Sequence, residues 1–229
     1  MLAFDTATER MSIALSAAGR VWTHEADGGA QASAALIPAI LGLLAQAQLS
    51  LHELDAIAFG RGPGAFTGLR TACAVAQGLA LGAGRPVLPI DTLLAISEDA
   101  RGDAIDARIW ALLDARMGEL YAAEYVHDAA GWRIGVGPML TTPERLQRCW
   151  DEHPPEVVSG EAAATFASRL DIGSARRVAT AMPRGVALLR LARELHARGA
   201  AVDAALALPL YVRDKVAETM AERAARVTA

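Results

Sequence analysis

Short apolar runs alternate with longer segments of helical spacing along the first hundred residues. The runs at 2–4, 11–15 and 21–25 have strand length and are separated by polar turns, which predicts an antiparallel meander. Apolar positions recur at helical spacing over residues 32–47, 67–81 and 92–100. Two further strands, at residues 56–59 and 87–90, lie between these segments. The pattern therefore predicts the order βββαβαβα.

The second half of the chain begins in the same way. Strands are predicted at residues 109–113, 120–126, 132–136 and 156–159, and helices from Thr142-Pro143-Glu144, over 161–170 and over 183–198. The chain turns back over residues 200–212, and residues 214–226 are predicted as a solvent-exposed helix at the end of the chain. The repeated order indicates a duplicated unit, with one lobe at residues 1–101 and the other at 102–229.

A glycine-rich loop, FGRGPGAFTGLR at residues 59–70, joins a predicted strand to a predicted helix. Such a loop directs backbone N–H groups and a helix N-terminus at whatever lies above it, which favours an anion. It is not a Walker A loop, because the only lysine of the chain is Lys215. Its G-x-G-x-x-A spacing lacks the acidic residue that a dinucleotide site places about twenty residues later. Phosphate contact and a purely structural turn both stay open.

Two acidic residues, Asp5 and Asp114, end corresponding strands of the two predicted lobes. Across a cleft they could hold Mg²⁺ through water, and each could equally cap a turn through its own backbone. With the glycine loop, they define a candidate set of nucleotide or phosphate contacts: Asp5, Thr6, Gly62, Gly64 and Asp114.

The sequence offers few candidate residues for metal binding, nucleophilic catalysis or direct RNA binding. The five histidines have no ligand spacing, no G-x-S-x-G occurs, and Cys73 and Cys149 form no C-x-x-C, so they are interpreted as reduced thiols. The net charge of −4 with scattered arginines gives no footprint for direct RNA binding. No segment has uninterrupted membrane-spanning length, and the start MLAFDTATER is acidic where a signal peptide is basic. We therefore expect a cytoplasmic protein without a metal site of its own.

Five segments carry a resemblance that extends over nearly the whole chain. They are MLAFDTATERMSIAL, GRGPGAFTGLRTACAVAQGLAL, PVLPIDTLLAIS, LLDARMGELYAAEY and LPLYVRD. Together they resemble the TsaB (YeaZ-like) family of bacterial tRNA threonylcarbamoyladenosine biosynthesis proteins. The resemblance implies an α/β fold of two ribonuclease H-like lobes, as in the superfamily of acetate and sugar kinases, Hsp70 and actin. Each lobe would hold a mixed five-stranded sheet with flanking helices.

The functional implication of the resemblance is a non-catalytic scaffold or activator subunit. It would pair with a catalytic sister, TsaD, and work with the ATPase TsaE to modify the adenosine beside the anticodon. Where the sister carries two metal-binding histidines, this sequence has Thr92 and Ile96. The chain would therefore need no cofactor, with ATP/Mg and Fe or Zn in the partner subunits. It would contact tRNA only through the complex, have no membrane association, and form a homodimer when alone.

The resemblance also implies where the partner binds, on the two helices at residues 33–47 and 66–81. The side chains predicted at this interface are Leu36, Ile40, Leu44, Leu69, Arg70, Cys73, Ala76 and Gln77. One departure is visible, because the family's histidine-serine pair before the first long helix is replaced by Gln31-Ala32-Ser33-Ala34.

Two alternatives of other classes stay open at the level of sequence. An autonomous ATP-dependent phosphotransferase would use Asp5 and Asp114, although Ala7 stands where such kinases have a glycine. An endopeptidase would need a nucleophile or a metal that the motifs do not supply.

Overall fold

The first sheet is built from the meander and the two strands that follow it. A computed structural model describes residues 1–213, so the predicted tail helix at 214–226 lies outside the described residues. The strands are β1 (Leu2–Asp5), β2 (Arg10–Ala17), β3 (Arg20–Asp27), β4 (Ile57–Gly62) and β5 (Val87–Asp91), in the order β3-β2-β1-β4-β5. The meander is antiparallel, whereas β4 pairs parallel to β1 and to β5. The predicted mixed five-stranded sheet is confirmed.

The second sheet repeats this topology. Its strands are β6 (Ala107–Arg116), β7 (Glu119–Asp128), β8 (Gly131–Thr141), β9 (Val157–Ser159) and β10 (Arg176–Val178), in the order β10-β9-β6-β7-β8. Read from β8, this is the order of the first sheet, which confirms the duplicated architecture. Strand β10 was missed by the sequence pattern because it has only three residues, two of them exposed arginines.

Six α-helices flank the sheets in the described part of the chain. They are α1 (Ala32–Ala47), α2 (Phe66–Ala83), α3 (Thr92–Arg101), α4 (Pro143–Glu152), α5 (Ala162–Thr165) and α6 (Gly185–Ala197). The prediction of a helix over 161–170 is wrong, because α5 ends after four residues. Shorter turns follow, such as the bond from Ala167 N to Ala164 O, while Phe166 and Leu170 pack into the core beneath. Tertiary packing there overrides the helical pattern.

The helices and sheets form alternating layers. Helices α1 and α2 cover the outer face of the first sheet, and α4 and α5 cover the outer face of the second. Between the sheets lie α3 and α6, which each pack on the other lobe: α3 follows the first sheet but contacts β6 and β7, whereas α6 contacts β1 and β2. The proposed boundary at residue 101 stays a prediction, because these helices interlock the two halves.

Buried ion pairs connect the two central helices. Glu98 on α3 is fully buried and accepts bonds from Arg101 at 2.9 Å and Trp132 Nε1 at 2.9 Å, and Arg190 on α6 lies 3.1 Å away. A buried carboxylate is stable only when it is paired in this way. The arrangement fixes α3, α6 and β8 against one another. Among residues 1–213, no helix is both long and apolar enough to traverse a lipid bilayer.

Candidate functional site

The carboxylate of Asp5 is buried beneath the glycine loop. It ends β1, and its Oδ1 accepts from Ala7 N at 2.6 Å while its Oδ2 accepts from the Thr92 hydroxyl at 2.8 Å. Burial raises the pKa of Asp5 to about 6, although both hydrogen bonds act in the opposite direction. Gly60 lies directly against this carboxylate, where a Cβ atom would collide with it. Asp5 therefore caps a turn and supports the loop.

Thr92 and Thr6 hold the glycine loop from below. The Thr92 hydroxyl accepts from Gly62 N at 3.2 Å, and Thr6 Oγ1 donates to Gly68 O at 2.7 Å. Gly62 has a φ of +112°, which favours glycine at this position. Asp5, Thr6 and Gly62 are all buried. The polar groups of these three residues bond within the chain, and their contact with a phosphate stays a prediction.

A chain of polar contacts connects the glycine loop with the second sheet. Arg61 Nε lies 2.6 Å from Asp91 Oδ1, and the buried Tyr125 hydroxyl on β7 donates to Asp91 Oδ2 at 3.3 Å. Burial and the Asp91 carboxylate raise the pKa of Tyr125, so it stays a protonated donor. The loop is thus anchored to both lobes.

Residues 207–213, which we call the C-terminal strap, cross the cleft above the glycine loop. Ala207 O accepts from Gln77 Nε2 at 2.8 Å, and Leu210 N donates to Arg61 O at 2.7 Å. At the far end Arg213 Nη2 contacts Glu119 Oε2 at 2.7 Å and Ala115 O at 3.0 Å. The strap connects the first lobe to the second and covers the loop on its open side.

A cavity of about 280 Å³ remains between the lobes beside the strap. Its first wall comes from the β1–β2 turn and the start of α2, and its second wall from the β6–β7 turn, β7 and the residue before α5. The lining residues are Ala7, Thr8, Glu9, Pro63, Gly64, Ala65, Phe66, Leu69, Leu113, Asp114, Ala115, Arg116, Met117, Tyr121, Glu161 and residues 210–213. Of the predicted phosphate contacts, only Gly64 and Asp114 line it.

Two of the three carboxylates in this cavity pair with one guanidinium. Arg116 contacts Glu9, and its Nη1 lies 3.5 Å from Asp114 Oδ2. Glu161 has no ion pair within residues 1–213. Burial and the nearby Asp114 carboxylate raise the pKa of Glu161. The cavity therefore has an acidic side on the second lobe.

The positions that correspond to the sister's histidines offer no imidazole. Thr92 bonds Asp5 and Gly62, and Ile96 packs in the apolar core between α3 and the second sheet. Within residues 1–213, no group of three or more His, Cys, Asp or Glu side chains is arranged to hold a metal ion.

Six of the eight predicted interface side chains are buried within this chain. Leu36, Ile40, Leu44, Leu69, Cys73 and Ala76 all belong to the core. They pack within the chain because helical periodicity selects the face that lies on the sheet, and their contact with a partner stays a prediction. Arg70 is exposed, whereas Gln77 is half-buried and bonded to the strap.

The opposite face of the same two helices is exposed and apolar. Leu41 on α1 is 50% exposed and Leu81 on α2 is 80% exposed. Small residues of the two helices are also exposed, namely Ala34, Ala45, Ala74, Gly78 and Gly82, and Ile37 adds a further exposed side chain. We call this surface the α1–α2 face. Ser33 stands exposed at its edge, at the departure from the family pattern.

Sequence reasoning missed several residues of the cavity. Glu161 carries no motif of its own, Arg116 and Tyr121 were noticed only as part of LLDARMGELYAAEY, and Tyr211 and Arg213 only as part of LPLYVRD. The segment DARMGE, at residues 114–119, includes Arg116 and indicates a turn. No sequence pattern predicts that Arg116 lies opposite Glu9.

Comparisons with known proteins extend over most of the chain. A family model described as TsaD, tRNA N6-adenosine threonylcarbamoyltransferase, matches residues 23–171. The chain is 33% identical to the tRNA threonylcarbamoyladenosine biosynthesis protein TsaB of Escherichia coli strain K12, over 95% of this chain and 96% of that one. The TsaB of Haemophilus influenzae is also 33% identical, over 94% of each chain.

Solved structures from Pseudomonas aeruginosa are similar in fold. One, described as YeaZ, is 37% identical with a TM-score of 0.83 and covers 92% of this chain and 98% of its own. A second, described as an uncharacterized protein with similarity to peptidase YEAZ, is 37% identical with a TM-score of 0.84 and covers 93% and 98%.

Proposed function

This chain belongs to the TsaB family, as its sequence resemblance predicted, and we propose that it is the scaffold subunit of a tRNA threonylcarbamoyladenosine modification complex. Its fold is the two-lobed arrangement of ribonuclease H-like sheets expected for the acetate kinase, sugar kinase, Hsp70 and actin superfamily. The relatives are named as biosynthesis proteins, and the proposal assigns this chain an accessory rather than a catalytic part.

The observation that carries the proposal is the α1–α2 face. Its exposed leucines and small residues form an apolar surface on paired helices, of the kind that another helix pair can approach closely. The partner we propose is the TsaD-class sister, because the TsaD family model matches this chain and a homologous subunit offers a similar pair of helices. The same face would pair with a second copy when the sister is absent.

The remaining parts of the complex follow from this role. We propose that a TsaE-like ATPase joins the assembly, that tRNA is held through the complex, and that all of this occurs in the cytoplasm. The chain would need no cofactor, and ATP/Mg and Fe or Zn would belong to the partner subunits. The net charge of −4 supports indirect rather than direct tRNA contact.

The alternative functions receive less support from the geometry. A phosphotransferase needs Asp5 in the cleft, but Asp5 is buried and the strap covers the glycine loop. A cysteine peptidase needs a thiol with a lowered pKa, whereas burial raises the pKa of Cys73.

The test is reconstituted threonylcarbamoyladenosine formation on tRNA with the sister subunit, the ATPase and a source of threonylcarbamoyl-adenylate. We expect modification to require this chain, and co-elution of this chain with the sister. Equal modification of the tRNA with and without this chain would contradict the proposal. ATP-dependent phosphorylation of a small molecule by the isolated chain would favour the phosphotransferase instead.

A further inference from the structure

The second-lobe wall of the interlobe cavity presents three polar groups, of which, within residues 1–213, only Asp114 has donors, Arg116 N at 2.7 Å and Arg116 Nη1 at 3.5 Å. It carries the carboxylates of Asp114 and Glu161 and the hydroxyl of Tyr121. Tyr121 is only 8% exposed, and within residues 1–213 its hydroxyl has no hydrogen-bond partner. A ligand with N–H groups would satisfy this wall.

The two guanidinium groups of the cavity are already engaged elsewhere. Arg116 contacts Glu9 and Asp114. Arg213 is held by Glu119 and Ala115 O at the end of the strap. Neither pairs with Glu161, whose pKa is raised because it is partly buried beside Asp114. Within residues 1–213, Glu161 is therefore the carboxylate of this wall that has no ion pair.

Two other occupants fit less well. The N-terminus of α2 favours an anion, but it lies on the first-lobe wall, which also carries Glu9. A metal ion needs its oxygen ligands close together, and the carboxylates here form no such group within residues 1–213. An organic cation can meet separated oxygens, because its N–H groups point in several directions.

The rest of the lining suits the body of such a ligand. Leu113 and Met117 offer apolar surface to an alkyl chain, and the rings of Phe66, Tyr121 and Tyr211 can face a positive charge. The volume of about 280 Å³ accepts a group of this size.

We infer that the interlobe cavity binds an organic cation, an alkylammonium or guanidinium group whose N–H donors bond Glu161, Asp114 and Tyr121. The group belongs either to a free small amine or to a lysine or arginine side chain of a partner protein. The site is separate from the α1–α2 face, so it does not depend on the proposed function.

The test is titration of the full chain with n-butylammonium and n-butylguanidinium at constant ionic strength, followed by NMR chemical shifts. Butyrate and n-butanol serve as anionic and neutral probes of matched size. We expect saturable binding of the two cations only, with a Kd on the order of millimolar. Glu161→Gln should weaken binding about fivefold or more. Glu144→Gln is the matched control, because that carboxylate pairs with Arg169 outside the cavity.

Three results would overturn the inference. The first is that butyrate binds as tightly as the cations do. The second is that Glu161→Gln leaves the cation affinity unchanged. The third is that 10 mM Mg²⁺ displaces n-butylammonium, whereas NaCl of equal ionic strength does not. Tyr121→Phe is an independent test of the site, because it removes only the hydroxyl. It should weaken cation binding while the fold is retained.

A second arm identifies the source of the cation. If a side chain of the sister subunit fills the site, adding that subunit displaces n-butylammonium and Glu161→Gln weakens the complex. If n-butylammonium still binds to the complex, a free amine is the occupant. Both results support the cation site, and failure of the reconstitution assay would not contradict it.

Discussion

The hydroxyl of Thr92 donates a 2.8 Å hydrogen bond to Oδ2 of Asp5, and it does so at the first residue of α3. The Thr92 hydroxyl oxygen also accepts a hydrogen bond from Gly62 N at 3.2 Å. One buried side chain thus joins the end of β1, the glycine loop and the start of the central helix. The acidic position that a kinase of this fold would open to its cleft is here enclosed by the protein itself.

The first prediction concerns Thr92→Val, which keeps the shape of the side chain and removes its hydroxyl. Asp5 would lose a donor and Gly62 N an acceptor, both buried, so we expect a loss of about 3 kcal/mol in the free energy of unfolding. Thr92→Ser is the control, because it keeps the hydroxyl and should cost about 1 kcal/mol for the lost methyl group. Urea denaturation measures both. Equal losses would show that the hydroxyl is unimportant.

The second prediction concerns the pH dependence of stability. The pKa of Asp5 is about 6 in the folded protein and 3.8 in its ordinary state. Between these values the folded protein binds a proton that the unfolded chain does not, so stability falls as pH rises through this window. One pKa unit corresponds to about 1.4 kcal/mol, and the full difference therefore corresponds to about 3 kcal/mol.

Asp5→Asn isolates this effect, because other titrating groups cancel between the two proteins. We expect wild type to gain about 2 kcal/mol of unfolding free energy relative to the variant when the pH of the urea denaturation is lowered from 7.5 to 4.5. A difference that stays constant between these pH values would mean that Asp5 titrates normally in the folded state.

The third prediction compares two glycines. Gly60→Ala places a methyl group against the buried Asp5 carboxylate and should cost at least about 3 kcal/mol of unfolding free energy. Gly78→Ala is the contrast, because a Cβ there meets no atom within 4 Å on an exposed helix position. It should stabilise the protein by about 0.5 to 1 kcal/mol through helix propensity. Thermal unfolding separates these effects, and a tolerated Gly60→Ala would argue against the tight contact.

The sequence predicted the architecture well because its periodicities are strong and occur twice. Helix α1 begins and ends where the pattern placed it, at Ala32 and Ala47. Strand β10 and the short α5 were not predictable, because three residues carry no period and because the packing of Phe166 and Leu170 sets the backbone there. Local patterns do not contain such long-range contacts.

The site was only partly predictable for a related reason. The sequence identified Asp5 and Asp114 as equivalent strand ends, but it could not tell which of them faces solvent. That depends on Thr92, which is 87 residues from Asp5 in the chain. Likewise, apolar spacing identified Leu36 and Ile40 as one face of a helix, and burial shows that this face packs inward.

The fourth prediction tests the α1–α2 face by charge insertion. Leu41→Arg places a cation on an exposed apolar position, so it should cost little unfolding free energy in the isolated chain. In a paired interface the same cation would be buried without a partner, which is unfavourable. Ile134→Arg on β8 is the control, since that side chain is 59% exposed on the other lobe. We expect Leu41→Arg to abolish co-elution with the sister subunit and tRNA modification, while Ile134→Arg leaves both intact.

The choice of Leu41 rather than Ala76 matters for this test. Ala76 is fully buried against the first sheet, so Ala76→Arg would unfold the chain and could not report on an interface. Leu41→Arg should keep the thermal unfolding temperature within a few degrees of wild type, because the residue packs only partly. Unchanged co-elution with Leu41→Arg and with Leu81→Arg would place the partner elsewhere. The interlobe cavity would then be the next surface to test, because Glu161→Gln changes that surface without altering either helix.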